Sequence, residues 1–346
     1  MSISGLRPFV VVVLVPTGIG AALGGYAGDA IPIVRTIAPV ADWIITHPNV
    51  MNAASLYWTV PNSLYVEGYG LDQFALGTWH LRPVRGNRIA VIFDAAIEGD
   101  LLIRHHQAIA AARASLGLDI PLTLTTDEPL GVTLRTADSG ATWGTLDHPD
   151  SLLRAAERAL AAPMGIGAIA IVARFPETTD PQVLAAYRHG SGVDALAGAE
   201  AVISHLVVRQ FAVPSAHAPA LDSLPLDPDV SPRAAAEELG YTFLPSVLVG
   251  LSRAPQFVLA AKAAAYDLGA DGVSAVVAPA TACGGAAWLA LSDRGVPCVL
   301  VQENRTTLKV TAADLGRNAI TVDNYWEAIG VLAALKAGVN PQAMRL

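Results

Sequence analysis

The chain has 346 residues, of which 53% are hydrophobic and 15% charged, and its formal net charge at pH 7 is -8. Nucleic-acid binding needs clustered lysine and arginine, so three lysines and no polybasic run argue against a nucleic-acid partner. The length allows one large domain or two smaller ones. Only two cysteines, Cys283 and Cys298, make a disulfide scaffold implausible and predict a cytoplasmic protein.

The first predicted element is a strand over 9–15, followed by the glycine-rich turn of VVVVLVPTGIGAALGGYAGDA. A membrane span is not expected, because Pro16 interrupts the apolar run well before the roughly 20 residues that a span needs. A signal peptide is the alternative, since Arg7 precedes a short apolar core. The β-branched valines favour the strand.

Short apolar runs then alternate with helical patterns, which is typical of parallel strands joined by crossover helices. Runs such as VSAVVAP and PCVLVQE lack polar alternation, as expected when helices cover both faces of a sheet. We therefore predict an α/β fold of mostly parallel, doubly wound, Rossmann-like sheets. Two lobes, 1–150 and 151–346, are expected to flank a cleft. The predicted strands are 9–15, 43–46, 64–67, 88–93, 168–173, 246–251, 273–278, 298–301 and 319–322. The predicted helices are 101–115, 151–161, 181–189, 234–239, 255–268, 286–293 and 324–337.

In open parallel sheets a ligand binds beyond the carboxyl ends of the strands, so the residue types that follow each strand are informative. The segment PTGIGAALGGYAGD predicts a loop whose amides and following helix cradle a carboxylate or phosphate, or else a tight packing turn. Its spacing misses G-x-G-x-x-G by one residue and lacks the P-loop lysine, so no nucleotide cofactor is predicted. The candidate substrate-binding residues of this loop are Thr17, Gly18, Gly20, Gly24 and Gly25.

The segment THPNVMNAA follows the second predicted strand. His47 is a candidate acid or base. Thr46, Asn49 and Asn52 are candidate substrate contacts, although Asn49 is also a natural helix N-cap. Glu67 follows the third strand and is a candidate site residue, because a carboxylate at the end of an apolar strand is costly to bury unless it is paired.

The middle of the chain contributes Arg174, a candidate substrate contact at the end of a predicted strand. His205 falls in a possible helix over 195–208 among apolar neighbours and is predicted to be a core imidazole. His217 stands in a proline-rich segment, predicted to be a loop, and is a candidate base. No metal is predicted, because these histidines match no compact zinc spacing.

Cys283 precedes a predicted helix whose dipole would favour a thiolate, with a packed core thiol as the alternative. Its neighbours Gly284 and Gly285 would leave backbone amides open to a substrate. The next strand ends in QENRTTLKV, which predicts a second polar loop. Its candidate residues are Glu303, Asn304 and Thr306.

Six segments together resemble a bacterial family of about this length that is known as a domain of unknown function. They are PTGIGAALGGYAGDA, ADWIITHPNVMNAASLYW, LYVEGYGLDQF, GSGVDALAGAEAVISHLVV, AHAPAL and ENRTTLKV. This resemblance spans nearly the whole chain and implies no activity. Separately, ADGVSAVVAPATACGGAAWLALSDRGVPCVLV is similar to the strand, cysteine loop, helix and strand of aspartate and glutamate racemases, whose thiols exchange a proton at the substrate's α-carbon. The similarity implies that role for Cys283, although Gly284 stands where that family has asparagine and no second cysteine is suitably placed.

These patterns predict an enzyme that acts on a small polar or anionic metabolite without a cofactor, as a hydrolase or an isomerase. Cys283 is the candidate nucleophile, His47 or His217 the base, and Glu67 or Glu303 the partner that orients the base. A nucleotide- or phosphoribosyl-dependent transferase and a non-catalytic ligand-binding or assembly protein are the alternatives. The apolar composition predicts a homodimer or higher homo-oligomer. No membrane partner is expected.

Overall fold

The computed structural model describes residues 7–53, 58–138, 141–176, 180–239 and 243–344. Helices and strands alternate along most of this length. The strands are β1 (Val10–Val13), β2 (Trp43–Thr46), β3 (Ser63–Tyr65), β4 (Trp79–Arg82), β5 (Ile89–Phe93), β6 (Leu122–Thr125), β7 (Val132–Thr136), β8 (Thr142–Leu146), β9 (Ala168–Arg174), β10 (Ser215–Ala220), β11 (Gln256–Leu259), β12 (Val273–Pro279), β13 (Cys298–Val301) and β14 (Ile320–Val322). The helices are α1 (Ile31–Ile37), α2 (Pro48–Met51), α3 (Gly68–Ala75), α4 (Gly99–Leu116), α5 (Pro149–Ala161), α6 (Pro181–Arg188), α7 (Ala197–Phe211), α8 (Pro232–Glu238), α9 (Leu244–Ser252), α10 (Ala286–Asp293) and α11 (Tyr325–Lys336).

Two parallel sheets form the framework and confirm the predicted α/β class. The first sheet has the strand order β14-β13-β12-β1-β2-β3, and the second has the order β10-β9-β5-β6. Every neighbouring pair within these two sheets is parallel. Two antiparallel pairs, β4 with β11 and β7 with β8, are added to them.

Helices cover both faces of each sheet, which explains why the strands lack polar alternation. The largest core cluster packs one face of both sheets against α1, α4, α9 and α11. A second cluster fills the other face of the first sheet under α3 and α10, where Phe74 and Trp288 are fully buried. A third lies under α5 and α7 on the other face of the second sheet.

The sheets do not follow the predicted boundary near residue 150. The first sheet combines β1 to β3 with β12 to β14, and the second combines β5 and β6 with β9 and β10. One core cluster is also continuous across both sheets. The division into lobes 1–150 and 151–346 stays a prediction.

Three predicted elements were wrong. Residues 246–251 lie in helix α9 and not in a strand. The helix packs against both β9 and β10, so its sequence is as continuously apolar as that of a buried strand. Residues 256–259 form β11, because antiparallel pairing with β4 overrides the helical propensity of the alanine-rich segment. Part of the predicted proline-rich loop is β10, which pairs with β9.

No helix in the described ranges has both the length and the apolar character needed to cross a bilayer. The longest, α4, has 18 residues and carries charged side chains such as Asp100 and Arg113. The valine-rich start of the chain is an interior strand from Val10 onward, as predicted.

Candidate functional site

A cavity of about 480 Å³ lies between the two parallel sheets. Thr17, His47, Glu67 and Ala282 line it, and they follow β1, β2, β3 and β12 respectively. The carboxyl ends of parallel strands meet at one edge of a sheet, which is why residues so distant in sequence reach the same space. The second sheet contributes His217 from β10.

Helix α7 forms a wall of the cavity through one of its faces. The spacing i, i+3, i+4, i+7, i+8 places these side chains together on that face. The helix also lies very close to β8, because a Cβ on Gly198 would be 2.1 Å from the carbonyl oxygen of Thr142. The α7 residues that line the cavity are Ala197, Glu200, Ala201, Ser204 and His205.

His205 and Glu67 form the first histidine–carboxylate pair of the cavity. His205 Nδ1 lies 2.9 Å from Glu67 Oε1, while Glu67 Oε2 accepts hydrogen bonds from the amides of Tyr69 and Gly70. Glu67 thereby caps α3 and is held in place. The hydrogen bond to Glu67 raises the pKa of His205. The prediction that His205 is a core imidazole was wrong, since its side chain is 42% exposed.

His217 and Glu200 form the second pair. His217 Nε2 lies 3.6 Å from Glu200 Oε2, and Nδ1 lies 3.1 Å from Ser204 Oγ. The ring is therefore held between two side chains of α7. Both histidine–carboxylate pairs line the same cavity.

Three further carboxylates line the cavity, and burial opposes their ionisation. Burial raises the pKa of Asp72. Burial also raises the pKa of Asp194, and the nearby carboxylates of Glu200 and Glu237 raise it further. Burial also raises the pKa of Glu237 to about 7. Glu237 Oε2 accepts hydrogen bonds from the Ala27 amide and the Tyr187 hydroxyl.

His47 lines the cavity but is not placed as a base. Its Nε2 accepts a hydrogen bond from the Val15 amide at 3.4 Å. Burial lowers the pKa of His47 to about 4, so the ring is neutral at pH 7. Asn49, a predicted substrate contact, lines the cavity, and its side chain donates to the Gly24 carbonyl. Its alternative role as N-cap was wrong, because the N-cap of α2 is His47. Asn52, another cavity residue, accepts from the Tyr65 hydroxyl.

The glycine-rich loop does not form an open anion cradle. The Gly24 amide donates to Asp29, and the Leu23 amide donates to Asn304 Oδ1. The Ala22 amide donates to the Arg305 carbonyl. These donors are thus satisfied inside the protein. Of the predicted binding residues in this loop, Thr17 lines the cavity, whereas the remaining ones do not: Gly18, Gly20, Gly24 and Gly25.

Glycine is nevertheless required in this loop for packing. Gly24 has φ +106°, and a Cβ there would lie 2.2 Å from Val15 Cγ1. A Cβ on Gly20 would lie 2.7 Å from Thr307 Cγ2. The loop is therefore a tight packing turn, the alternative that its sequence left open.

Cys283 is separated from the cavity. Its side chain is fully buried in the second core cluster, and Sγ lies 3.7 Å from the Ala280 carbonyl oxygen. Burial raises the pKa of Cys283 to about 11, so the thiol stays protonated. Cys283 is not at the N-terminus of α10, because the helix begins at Ala286 and its N-cap is Gly285. The predicted stabilisation of a thiolate by the helix dipole is therefore not supported. Gly285 lines the cavity, whereas Gly284 does not.

The polar loop after β13 is structural and does not reach the cavity through its predicted residues. Glu303 accepts from the Tyr325 amide at the start of α11. Asn304 is buried and bonded to both Leu23 and Tyr325. Thr306 contacts the Thr281 hydroxyl at 2.9 Å.

Two other predicted contacts also lie outside the cavity lining. Arg174 pairs with Glu98 and donates to the carbonyls of Phe175 and Ala220. Thr46 is buried and donates to the Val13 carbonyl. Both side chains stabilise the ends of strands.

Five ionisable residues of the cavity were not among the predicted site residues. One signal was available, since the spacing of Glu200, Ser204 and His205 places them on one face of α7. No short motif marks the other three, because their elements meet the cavity only through the tertiary fold. The missed residues are Asp72, Asp194, Glu200, His205 and Glu237. Within the described ranges, no group of three or more histidine, cysteine, aspartate or glutamate side chains is arranged to hold a metal ion.

Comparison with known proteins gives a family match and one relative of high identity. The model of a family described as "Protein of unknown function (DUF3326)" matches residues 10–345. An "uncharacterized lipoprotein" of Synechococcus sp. is 57% identical over 338 residues, which cover 98% of this chain and 94% of that protein. No solved structure matches.

Proposed function

We propose that this chain, which belongs to the family of proteins of unknown function DUF3326, is an enzyme that transfers protons on a small polar metabolite. The observation that carries the proposal is that His205–Glu67 and His217–Glu200 line one cavity of about 480 Å³. Perturbed ionisable groups concentrated in a cavity are typical of active sites. The reaction class is an isomerisation or a hydrolysis without a cofactor.

The two pairs have different roles in this proposal. His205 is the proton donor, because Glu67 stabilises its protonated form. His217 is the base, with Ser204 and Glu200 fixing its ring. General acid–base catalysis of this kind contributes about 10²- to 10⁴-fold to a rate.

Covalent catalysis by Cys283 is not part of the proposal. A thiol with a pKa of about 11 in a packed core is a poor nucleophile. The same observations give the racemase resemblance no support. A phosphate-binding transferase also lacks support, because the amides of Leu23 and Gly24 are already bonded within the protein.

The proposal is tested by incubating the protein with a metabolite extract in D₂O and following the extract by mass spectrometry. We expect one metabolite to be consumed or to gain deuterium from the solvent. His205→Gln and His217→Gln should each slow this change by about 100-fold or more, whereas the exposed His148→Gln should not. Equal activity in all three variants would refute the acid–base roles.

A cytoplasmic location is also proposed. The relative's name describes that protein as a lipoprotein. In this chain Cys283 and Cys298 are both buried, so neither can carry an acyl chain in the folded protein. Fractionation of cells that express the chain should recover it in the cytoplasm, and recovery in the membrane fraction would contradict the proposal.

A further inference from the structure

A second cavity of about 270 Å³ adjoins the first. The two cavities share Asp194, Leu196, Glu237 and Phe243 as lining residues, so they meet at a common wall. Away from that wall the second cavity is largely apolar. Its apolar side chains include Val183, Leu184, Val193, Leu221 and Leu224.

The charged groups of the second cavity outside the shared wall are largely paired. Arg188 Nε lies 2.8 Å from Glu238 Oε1. The same guanidinium lies 3.8 Å from Asp227. Arg188 is therefore not available to balance Asp194 or Glu237, and the nearby Arg233 is bonded to Asp29.

The shared wall carries two carboxyl groups, Asp194 and Glu237, that face no cationic side chain among the described lining residues of the first cavity. Of the five carboxylates that line the first cavity, Glu67 faces His205 and Glu200 faces His217. Among the described lining residues of this cavity there is no lysine or arginine. Within the described ranges, the hydrogen bonds of Asp194 and Glu237 come from backbone amides and the Tyr187 hydroxyl. Buried carboxylates are costly without a positive partner, and a ligand that supplies one would be bound selectively.

A separate observation concerns a polar group of another lining residue of the first cavity. Trp288 lines the cavity and is fully buried, and its indole N–H has no hydrogen-bond partner in the described part of the chain. Buried donors are nearly always satisfied in folded proteins. An acceptor on a bound ligand would satisfy this donor.

We propose that the substrate of this site is an organic cation with an apolar substituent. Its ammonium group lies against Asp194 and Glu237, its reacting part faces His205 and His217, and its apolar substituent occupies the second cavity. The inference rests on the proposed function, because it assigns a substrate class to the same cavity. It also replaces the expected anionic metabolite, for which the lining offers no lysine or arginine in the described residues.

The probes for a test are hexylammonium, ethylammonium, 1-hexanol and hexanoate, with binding measured by isothermal titration calorimetry. Hexylammonium should bind at least about tenfold more tightly than 1-hexanol or hexanoate, as expected for hydrogen bonds to charged groups. Asp194→Asn combined with Glu237→Gln should remove this preference. The exposed Glu157→Gln should leave it unchanged.

A second variant tests the apolar part independently of the carboxylates. Leu224 is partly exposed, so Leu224→Trp should fold and should fill part of the second cavity. We expect it to weaken hexylammonium binding by about tenfold and to leave ethylammonium binding unchanged.

Equal binding of hexanoate, or a preference for ammonium that survives the double substitution, would overturn the inference. The inference would also be overturned if no binding were detected at a hexylammonium concentration of about 10 mM, because the affinity would then be negligible. Such results would leave the D₂O experiment unaffected, because that experiment makes no assumption about the substrate's charge. If hexylammonium binds as predicted but no metabolite is consumed or gains deuterium, the acid–base function alone is refuted.

Discussion

Glu237 is a carboxylate whose pKa burial raises to about 7. The folded protein thus keeps a proton that the unfolded chain loses above a pH of about 4.5. For a raised acid pKa, the free energy of unfolding falls as the pH rises through this window. Removing the ionisable group should remove that loss.

We therefore expect Glu237→Gln to be more stable than the native chain at pH 8, by on the order of 2 kcal/mol, and nearly equal to it at pH 4.5. The glutamine oxygen can still accept from the Ala27 amide and the Tyr187 hydroxyl. Urea unfolding at the two pH values measures the difference. The exposed Glu157→Gln is the control, and a variant that is destabilised at pH 8 would contradict the assignment.

Cys283 gives a second prediction for a single residue. Cys283→Ala should lower the free energy of unfolding by about 1 kcal/mol, because a buried sulfur is lost from a packed core. Turnover in the isotope assay should stay within about twofold of the native rate, since acid–base transfer does not use the thiol. An inactive variant with an unchanged unfolding midpoint would restore Cys283 as a nucleophile.

The candidate site was only partly predictable from single residues. Thr17, His47 and Glu67 were found because they follow parallel strands, whose carboxyl ends share an edge. His205 was assigned to the core because its neighbours in sequence are apolar. Its partner Glu67 lies 138 residues away, and no local pattern reveals that pairing.

At the scale of elements, the position of α7 determines where Glu200, Ser204 and His205 lie. Gly198 allows the helix to approach β8, because a Cβ there would lie 2.1 Å from the Thr142 carbonyl oxygen. We expect Gly198→Ala to lower the free energy of unfolding by about 2 kcal/mol through overpacking.

Gly330 in α11 is the matched control for this helical glycine. A Cβ there meets nothing within 4 Å, so Gly330→Ala should stabilise the protein by about 0.5–1 kcal/mol. Thermal and urea unfolding measure both changes. A neutral Gly198→Ala would show that α7 can move away from β8 without cost, and the close approach would then not explain its position.

The elements that were predicted correctly are those with continuous β-branched runs or clear helical spacing. Strand β12 and helix α10 are examples, with bounds close to the predicted ones. Helix α9 was missed because both of its sides pack in the core, which removes helical periodicity. Strands β4 and β11 depend on pairing with each other, and that pairing is not encoded in either segment alone.

At the scale of the whole molecule, self-association stays a prediction. Exposed apolar side chains include Leu226, which is fully exposed, and Leu239. Large exposed apolar groups are often covered in an assembly. Light scattering coupled to size exclusion should give a dimer or a larger closed assembly, and a monomer at every concentration tested would contradict the prediction.

The proposed function requires a ligand to bind in the cavity between the two sheets. The most direct test is a crystal structure of the protein soaked in a concentrated metabolite extract. We predict ligand density in the cavity, within hydrogen-bond distance of both His205 and His217. Density at another cavity, such as the one beside Arg317, with only water between the two histidines, would contradict it.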